Sequence, residues 1–348
     1  MHHNVRMSTP RVWFPAIRAG SGADVFTQRL ADELSAQGVQ AKVTWLPHRA
    51  EYAPWSVPVP KPPKWANVVH VNTWLHARFI PPNIPVVATM HHVVHDPSFA
   101  PYRTQAQALY HRLWIKAIEE AVLRRADAVT AVSQYTAEQV RTVFAREDVT
   151  VIPNGIDTNI FRPGPVRAPH QPFRLLFVGN WSQRKGTDLL APIMQALGSD
   201  FELWVTSGLR GWRATTSLPP NIRFLGRVPT TEALVRVYQD ADALLLPSRL
   251  EGFGLVALEA MACGLPVIAA NATALPEVLS EATALLCSAD SVTHYVDACL
   301  TLKNDLSLWK RMKMAGPQRA RDHFSFSSIR RSYTLIYSAL VCRQENTK

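Results

Sequence analysis

Glu251 and Glu259 bracket the stretch Glu251-Gly-Phe-Gly-Leu-Val-Ala-Leu-Glu259, two carboxylates eight positions apart with a Gly-Phe-Gly turn directly after the first. The apolar run Ala243 to Leu246 predicts a strand ahead of them. A short helix carrying Glu259 follows and ends at Gly264-Leu-Pro266, and Val267 to Ala270 predicts the next strand. Glycine lets backbone approach a ligand closely, and the start of a helix offers unpaired N–H groups to an anion. One acid before that helix and one inside it would grip hydroxyls on either side of a bound phosphate, chemistry that suits a sugar nucleotide.

Short apolar runs that alternate with helical patterns predict a parallel α/β architecture. In the first half, strands are expected at Val12–Phe14, Val43–Leu46, Val68–Val71, Val86–Thr89, Ala128–Val132 and Val149–Ile152. The first long helix follows Gly20-Ser-Gly22. Phe26, Leu30 and Leu34 form its buried stripe, and Gly38 is its left-handed stop. Pro163, Pro165, Pro169 and Pro172 cannot continue a helix or a central strand, so the interdomain linker is placed there. The second set of strands is Leu175–Val178, Glu202–Val205, Ile222–Leu225, Ala243–Leu246, Val267–Ala270 and Ala284–Leu286. A last helical pattern puts Ile329, Tyr333, Ile336 and Leu340 on one face. The expected domains are 1–164, 165–326 and a closing helix 327–348. Two doubly wound sheets of this kind face each other across a cleft and bind ligands beyond the carboxyl ends of their strands.

A chain of 348 residues that is 47% hydrophobic and 18% charged has material for two cores. Its net charge of +10 is spread over both halves and favours anionic partners. Nucleic acid is not among those expected, because the basic residues are scattered and no binding module appears. A nicotinamide fingerprint fails, since Val25 stands where a third glycine would be needed. Cys263, Cys287, Cys299 and Cys342 form no Cys-x-x-Cys pair, residues 1–6 show no apolar leader, and no run reaches membrane-spanning length. The expectation is a reduced, cytoplasmic protein, with contact at the inner face of the membrane left open. That contact is suggested by residues 47–65, which hold Trp55, Trp65, Lys61, Lys64 and a high density of proline in a stiff, extended segment. An acceptor-binding loop is the other functional reading of that segment. His91 and His95 have metal-like spacing, but a strand before them and a turn at Asp96-Pro97 deprive it of meaning, so no metal site is expected.

The chain resembles family 4 of the retaining glycosyltransferases, which have the GT-B fold. The stretches that carry the resemblance are Gly20-Ser-Gly-Ala-Asp24, Val86-Val-Ala-Thr-Met-His-His92, Val151-Ile-Pro-Asn-Gly-Ile-Asp157, Phe177-Val-Gly-Asn-Trp-Ser-Gln-Arg-Lys-Gly186 and Pro247-Ser-Arg-Leu-Glu-Gly-Phe-Gly254 running on to Pro266. They span nearly the whole chain, densely in the second half and sparsely in the first. The resemblance implies that the first domain binds the acceptor, that the second binds the nucleotide sugar, and that the last helix crosses back to the first domain.

It also implies roles. Glu259 matches the glutamate that accepts from the ribose hydroxyls, a task suited to a two-oxygen acceptor. Glu251 matches the one that touches the donor sugar near the reacting carbon, and Lys185 the lysine that holds the diphosphate. Backbone N–H groups of Gly252, Phe253, Gly254 and Leu255 would face the sugar and distal phosphate. His91 matches a histidine that bonds the donor sugar from the first domain. Gly20 and Gly22 match a loop that brings N–H groups to phosphate or acceptor, with Arg18 beside it. The chain departs from the family at Asn180, where an arginine is common, and Arg184 is the candidate replacement.

The implied activity is transfer of a hexose from a UDP- or GDP-sugar to a saccharide or lipid-linked acceptor in surface glycan synthesis. Attack occurs on the front face, without a metal, because no Asp-x-Asp element precedes a suitable strand end and Lys185 and Arg184 replace the ion. No cofactor beyond the co-substrate is expected. A nucleotide-sugar epimerase of the same fold and a non-catalytic sugar-nucleotide binder stand as alternatives, the latter favoured only by Asn180.

Overall fold

The computed structural model describes residues 9–206 and 218–346. The N-terminal stretch read for a leader lies outside them. The chain forms two compact units: residues 1–155 with 326–348, and residues 156–325.

The first unit is built on a six-stranded sheet: β1 (Val12–Ile17), β2 (Ala41–Leu46), β3 (Val68–Asn72), β4 (Val86–Met90), β5 (Ala128–Ala131) and β6 (Val149–Val151). The order is β2-β1-β3-β4-β5-β6 and every pairing is parallel. β3 and β4 are almost wholly buried, which is why they read as continuous apolar runs rather than alternating ones. Helix α1 (Gly22–Ala36) buries Phe26, Leu30 and Leu34 as its spacing predicts, and Gly38 follows with φ +80°. Beyond β4 come α2 (Gln105–Tyr110), a π turn over His111–Ile115 and α3 (Lys116–Arg125); α4 (Gln134–Phe144) connects β5 to β6.

The second unit has β7 (Phe173–Val178), β8 (Phe201–Thr206), β9 (Ile222–Phe224), β10 (Ala243–Leu246), β11 (Val267–Ala270) and β12 (Ala284–Cys287), ordered β12-β11-β10-β7-β8-β9, again parallel. Its helices are α5 (Thr187–Leu197), α6 (Thr231–Asp240), α7 (Leu255–Ala262), α8 (Leu275–Val278), α9 (Val292–Asn304) and α10 (Leu306–Phe324). The chain order along this sheet reverses between β7 and β10, so the loops that leave these two strands emerge side by side. This is where an open α/β sheet holds its ligands. The stretches Gly179–Gly186 and Pro247–Gly254 are those two loops.

The closing helix α11 (Phe326–Asn346) belongs to the first unit. Ile329, Tyr333, Tyr337, Leu340 and Val341 are its buried residues; Tyr337 takes the place expected for Ile336, which is only partly buried. Tyr337 Oη meets His70 Nδ1 at 2.6 Å, and the Nε2 of that buried ring meets Thr89 Oγ1 at 2.6 Å.

The boundary between units differs from the expected one. It falls at 155/156, ahead of the proline-rich stretch, and at 325/326. The prolines do keep that stretch free of helix and strand, but the residues between them tie it to the second unit. Arg167 donates to the buried carboxylate of Asp242 at 2.5 Å and to the Ala241 carbonyl at 2.6 Å, and the His170 amide donates to Asp242 at 3.0 Å. No helix among the described residues is long and apolar enough to cross a membrane.

Candidate active site

In the second unit, β7 ends at Val178 and the chain turns through Gly179 into a 3₁₀ turn, Gln183–Lys185. Gly186 then adopts φ +68°, and a Cβ there would lie 2.0 Å from the Pro247 carbonyl oxygen. Only glycine lets the two loops meet so closely. Three further contacts lock them together. The Arg249 amide donates to the Arg184 carbonyl at 2.9 Å, the Arg184 guanidinium donates to the Leu250 carbonyl at 3.0 Å, and the Arg249 guanidinium donates to the Gln183 carbonyl at 2.6 Å. Arg249 also grips Asp188 through two nitrogens at 2.6 and 2.8 Å and Asp290 at 2.6 Å. These hydrogen bonds, Asp188 first, raise its pKa against the cost of burial. The sequence reading gave Arg249 no role; one sequence does not show that an arginine beside the motif is the clamp for both loops.

The result is that Lys185 Nζ and Glu251 Oε1 stand 2.5 Å apart, both nearly buried. Burial would raise the Glu251 carboxyl, but the charges of Lys185 and Arg184 and the hydrogen bond from Lys185 outweigh it, and its pKa is lowered. Burial lowers the pKa of Lys185 as well, opposed by Glu251 and assisted by Arg184. Arg184 is half-buried, its guanidinium held by the Leu250 carbonyl, whereas Asn180, two residues past the end of β7, is exposed.

Helix α7 begins directly after Gly254, whose φ of +97° makes it a left-handed cap with no side-chain hydrogen bond to the helix start. A Cβ at Gly254 would meet Leu275 Cδ2 at 2.8 Å. Gly252 is buried and Leu255 half-buried. The Phe253 ring is buried edge-on against Phe324 at 5.7 Å, so its side chain is a packing group, and only its backbone is left for a ligand. Glu259, one turn into α7, accepts from Tyr238 Oη at 3.0 Å. Tyr238 is a fully buried residue of α6 that sequence reasoning had no signal to single out.

In the first unit, the loops after β1, β3 and β4 line a pocket of about 120 Å³. Ile17, Trp74 and Leu75 give it apolar walls; Asp24, Glu51, Asn72 and His91 give it polar ones. His91 Nε2 meets Asn72 Oδ1 at 2.8 Å, and its ring packs edge-on against Phe26 at 4.8 Å. Burial, with His92 beside it, lowers the His91 pKa to about 3. Glu51 comes from the proline-rich segment and its pKa is raised, chiefly by burial. Trp74 is oriented by its Nε1 donating at 2.9 Å to the buried Glu119, which His95 also meets at 2.9 Å. Neither Glu51 nor Glu119 stood out in the sequence, where the first sits among prolines and the second beside Glu120 on an ordinary amphipathic helix. His91 and His95 thus have separate partners, Asn72 and Glu119.

Two expectations for this unit change. The amides of Ala19 and Gly20 are occupied by Asp24 Oδ2, at 2.9 and 2.7 Å, and Ser21 Oγ donates to Oδ1 at 2.8 Å. The loop of Gly20 and Gly22 therefore already holds an anion, its own Asp24, and is not a bare phosphate cradle. Arg18 is exposed and its guanidinium lies over the Trp45 ring at 4.8 Å, away from the pocket lining.

Comparison with known proteins matches each half of the chain. Residues 63–160 match the family described as Glycosyltransferase Family 4, and residues 172–305 the family described as Glycosyl transferases group 1. A glycogen synthase of Mycobacterium tuberculosis is 27% identical over 301 residues, covering 78% of this chain and 69% of its own. A D-inositol 3-phosphate glycosyltransferase 1 of Catenulispora acidiphila is 34% identical over 176 residues, 43% of this chain and 42% of its own, so the chain spans under half of that relative. Among solved structures, sucrose-phosphate synthase from Thermosynechococcus elongatus superposes with a TM-score of 0.77 at 20% identity, over 96% of this chain and 100% of the other. Anabaena HepE in complex with UDP-glucose gives 0.71 at 15%, over 94% and 99%. The two parallel sheets have the GT-B architecture of these structures, and the chain belongs to the family 4, group 1 glycosyltransferases.

Proposed function

We propose that this glycosyltransferase moves a hexose from a nucleotide diphosphate sugar to a saccharide or lipid-linked acceptor with retention of configuration. The observation that carries the reading is the Lys185–Glu251 pair at the point where the second sheet reverses, directly before a helix whose start has no side-chain cap. In this arrangement the two charges neutralise each other. An arriving diphosphate draws Lys185 to itself with Arg184 alongside, and the released carboxylate of Glu251 accepts from hydroxyls of the sugar. The amides at the start of α7 add fixed positive dipole, and Glu259 takes the ribose hydroxyls. As the glycosidic bond breaks, negative charge grows on the departing diphosphate, where Lys185 and Arg184 stabilise it. Such stabilisation and the positioning of the acceptor supply the catalysis. In this reading Arg184 fills the role of the arginine that Asn180 replaces, and no metal is needed.

UDP is the favoured base carrier, since HepE is solved with UDP-glucose. The first unit's pocket, with an indole wall and carboxylates at Glu51 and Asp24, suits a saccharide ring as acceptor. A lipid-linked acceptor is supported by the neighbouring surface. Trp55 packs on Trp114 at 6.1 Å, and Trp114 Nε1 donates to the Glu51 carbonyl at 2.9 Å. On these joined segments Tyr52, Trp55, Leu109 and Leu113 are exposed among Arg49 and Arg112. Apolar and aromatic groups with basic neighbours suit an anionic lipid surface.

The test is incubation with UDP-, GDP-, ADP- and dTDP-sugars and an acceptor extract, followed by product analysis. Transfer with the donor's anomeric configuration kept supports the proposal. Epimerised donor with no transfer, or tight binding with no turnover on any acceptor, overturns it.

A further inference from the structure

A chain of three side chains in the first unit has a fixed hydrogen-bond polarity, and it decides which nitrogen of His91 carries a proton. The chain starts at Thr27, a residue only 2% exposed. Its Oγ1 lies 2.9 Å from the Ala23 carbonyl oxygen one turn back in α1. A carbonyl can only accept, and two oxygens at that distance with no hydrogen between them repel, so the Thr27 hydroxyl hydrogen is committed to Ala23. What Thr27 offers Asn72, 3.1 Å away, is therefore a lone pair, and Asn72 must turn its Nδ2 amide toward it. Asn72 then presents Oδ1 to His91 Nε2 at 2.8 Å. An amide oxygen accepts only, so Nε2 must be the protonated nitrogen.

We infer that Thr27 and Asn72 are positioning residues that hold His91 as its Nε2–H tautomer, so that Nδ1 presents a lone pair to a hydroxyl of the saccharide entering the pocket. Among the described residues Nδ1 has no hydrogen-bond partner, and His91 lines the pocket. Phe26, edge-on to the ring, restricts its rotation. Burial, and then the neighbouring His92, depress the pKa of His91, which agrees with a ring that stays neutral. The consequence is specific. His91 neither donates a proton nor supplies positive charge to the reaction; it accepts one hydrogen bond and so orients a hydroxyl. This step rests on the glycosyl-transfer reading for its substrate, whereas the tautomer itself does not.

The experiment has two arms. Two-bond ¹H–¹⁵N correlation spectra of the ¹⁵N-histidine-labelled chain, with His91 assigned by a His91→Gln control, report the tautomer without any ligand. The expected result is an unprotonated Nδ1 and a protonated Nε2, unchanged from about pH 8 to about pH 5, the range in which an ordinary histidine gains its charge. The second arm is Thr27→Val, which keeps the shape and removes the hydroxyl at a site no substrate reaches. It should mix the two tautomers and lower kcat/KM for the acceptor, at saturating UDP-glucose, about tenfold, the scale of one hydrogen bond, while Thr27→Ser restores both. A wild-type His91 with Nδ1–H, or a charged ring at pH 7, overturns the inference, as does a folded Thr27→Val with unchanged tautomer and kcat/KM. If the tautomer is as stated but no nucleotide sugar is turned over, the relay stands and the glycosyl-transfer reading fails.

Discussion

Lys185 and Glu251 are 66 positions apart in sequence and 2.5 Å apart in space, because the strands that precede their loops are neighbours at the reversal of the second sheet. Removing either partner strands the other's charge in a nearly buried site, which costs about 3–5 kcal/mol for a buried pair, lessened for Glu251 by Arg184. Lys185→Ala and Glu251→Ala should each lower turnover about a hundredfold or more, the scale of one lost contact to transition-state charge. Both should also unfold at lower urea. The double variant Lys185→Met with Glu251→Gln should recover much of the stability and none of the activity. Urea midpoints and initial rates on the same four proteins separate the two effects.

The lowered pKa of Glu251 fixes the sign of a pH effect. Its carboxyl ionises more readily folded than unfolded, so the stabilisation is complete above the ordinary value of 4.5 and is lost as pH falls through the lower folded value. The stability difference between wild type and Glu251→Gln should be constant from about pH 7 to about pH 5 and shrink only at more acid pH. Urea titrations at several pH values check this; a difference that grows on acidification contradicts the ion pair.

Gly186 permits the close approach of the two loops, and its replacement tests that approach. Gly186→Ala combines a left-handed backbone, about 1–2 kcal/mol for a residue with a Cβ, with a 2.0 Å clash against the Pro247 carbonyl. The loops must separate, and nucleotide-sugar binding should fall with stability. Gly38→Ala is the matched control. Its φ is +80° but a Cβ there meets nothing within 4 Å, so it should cost only the backbone term and leave binding intact. Thermal melts with and without UDP-glucose distinguish the two.

All twelve described strands of the two sheets were legible in the sequence: central ones such as β4, β10 and β11 are buried, uninterrupted apolar runs, while β2, β6 and β9, which are less buried and carry Lys42, Thr150 and Arg223, read from the apolar residues around those polar ones. The acidic pair and Lys185 were legible as motifs. What escaped was whatever depends on distant partners. Arg249 clamps two loops through the Gln183 carbonyl while Asp188 and Asp290 hold its guanidinium, Tyr238 reaches Glu259 from another helix, and Glu51 enters a pocket from a segment that reads as surface. The Gly20 loop misled for the same reason: its glycines announce a turn, but only the folded chain shows Asp24 filling the amides. The proline-rich stretch was rightly read as irregular, yet the carboxylate that claims it, Asp242, lies 75 residues on from Arg167.

The exposed side chains beside the first pocket make a further prediction. Trp55 is 68% and Leu113 63% exposed. The chain should co-sediment with vesicles containing anionic phospholipid and not with neutral ones, more weakly as salt rises, because attraction between basic groups and a charged surface is screened. Trp55→Ser with Leu113→Ser should reduce that binding several-fold without changing the melting temperature. Equal binding by the double variant removes the support for a lipid-linked acceptor.

Calorimetric titration of wild type, Glu251→Gln, Glu259→Gln and Lys185→Ala with UDP-, GDP-, ADP- and dTDP-sugars addresses the donor site most directly. The account predicts saturable binding of one nucleotide class by the wild type. Lys185→Ala should lose affinity for nucleotide diphosphate and sugar nucleotide alike. Glu259→Gln should lose affinity for the nucleoside part, and Glu251→Gln should discriminate less between the sugar nucleotide and the bare diphosphate. A wild type that binds none of them, or three variants that bind as the wild type does, would contradict it.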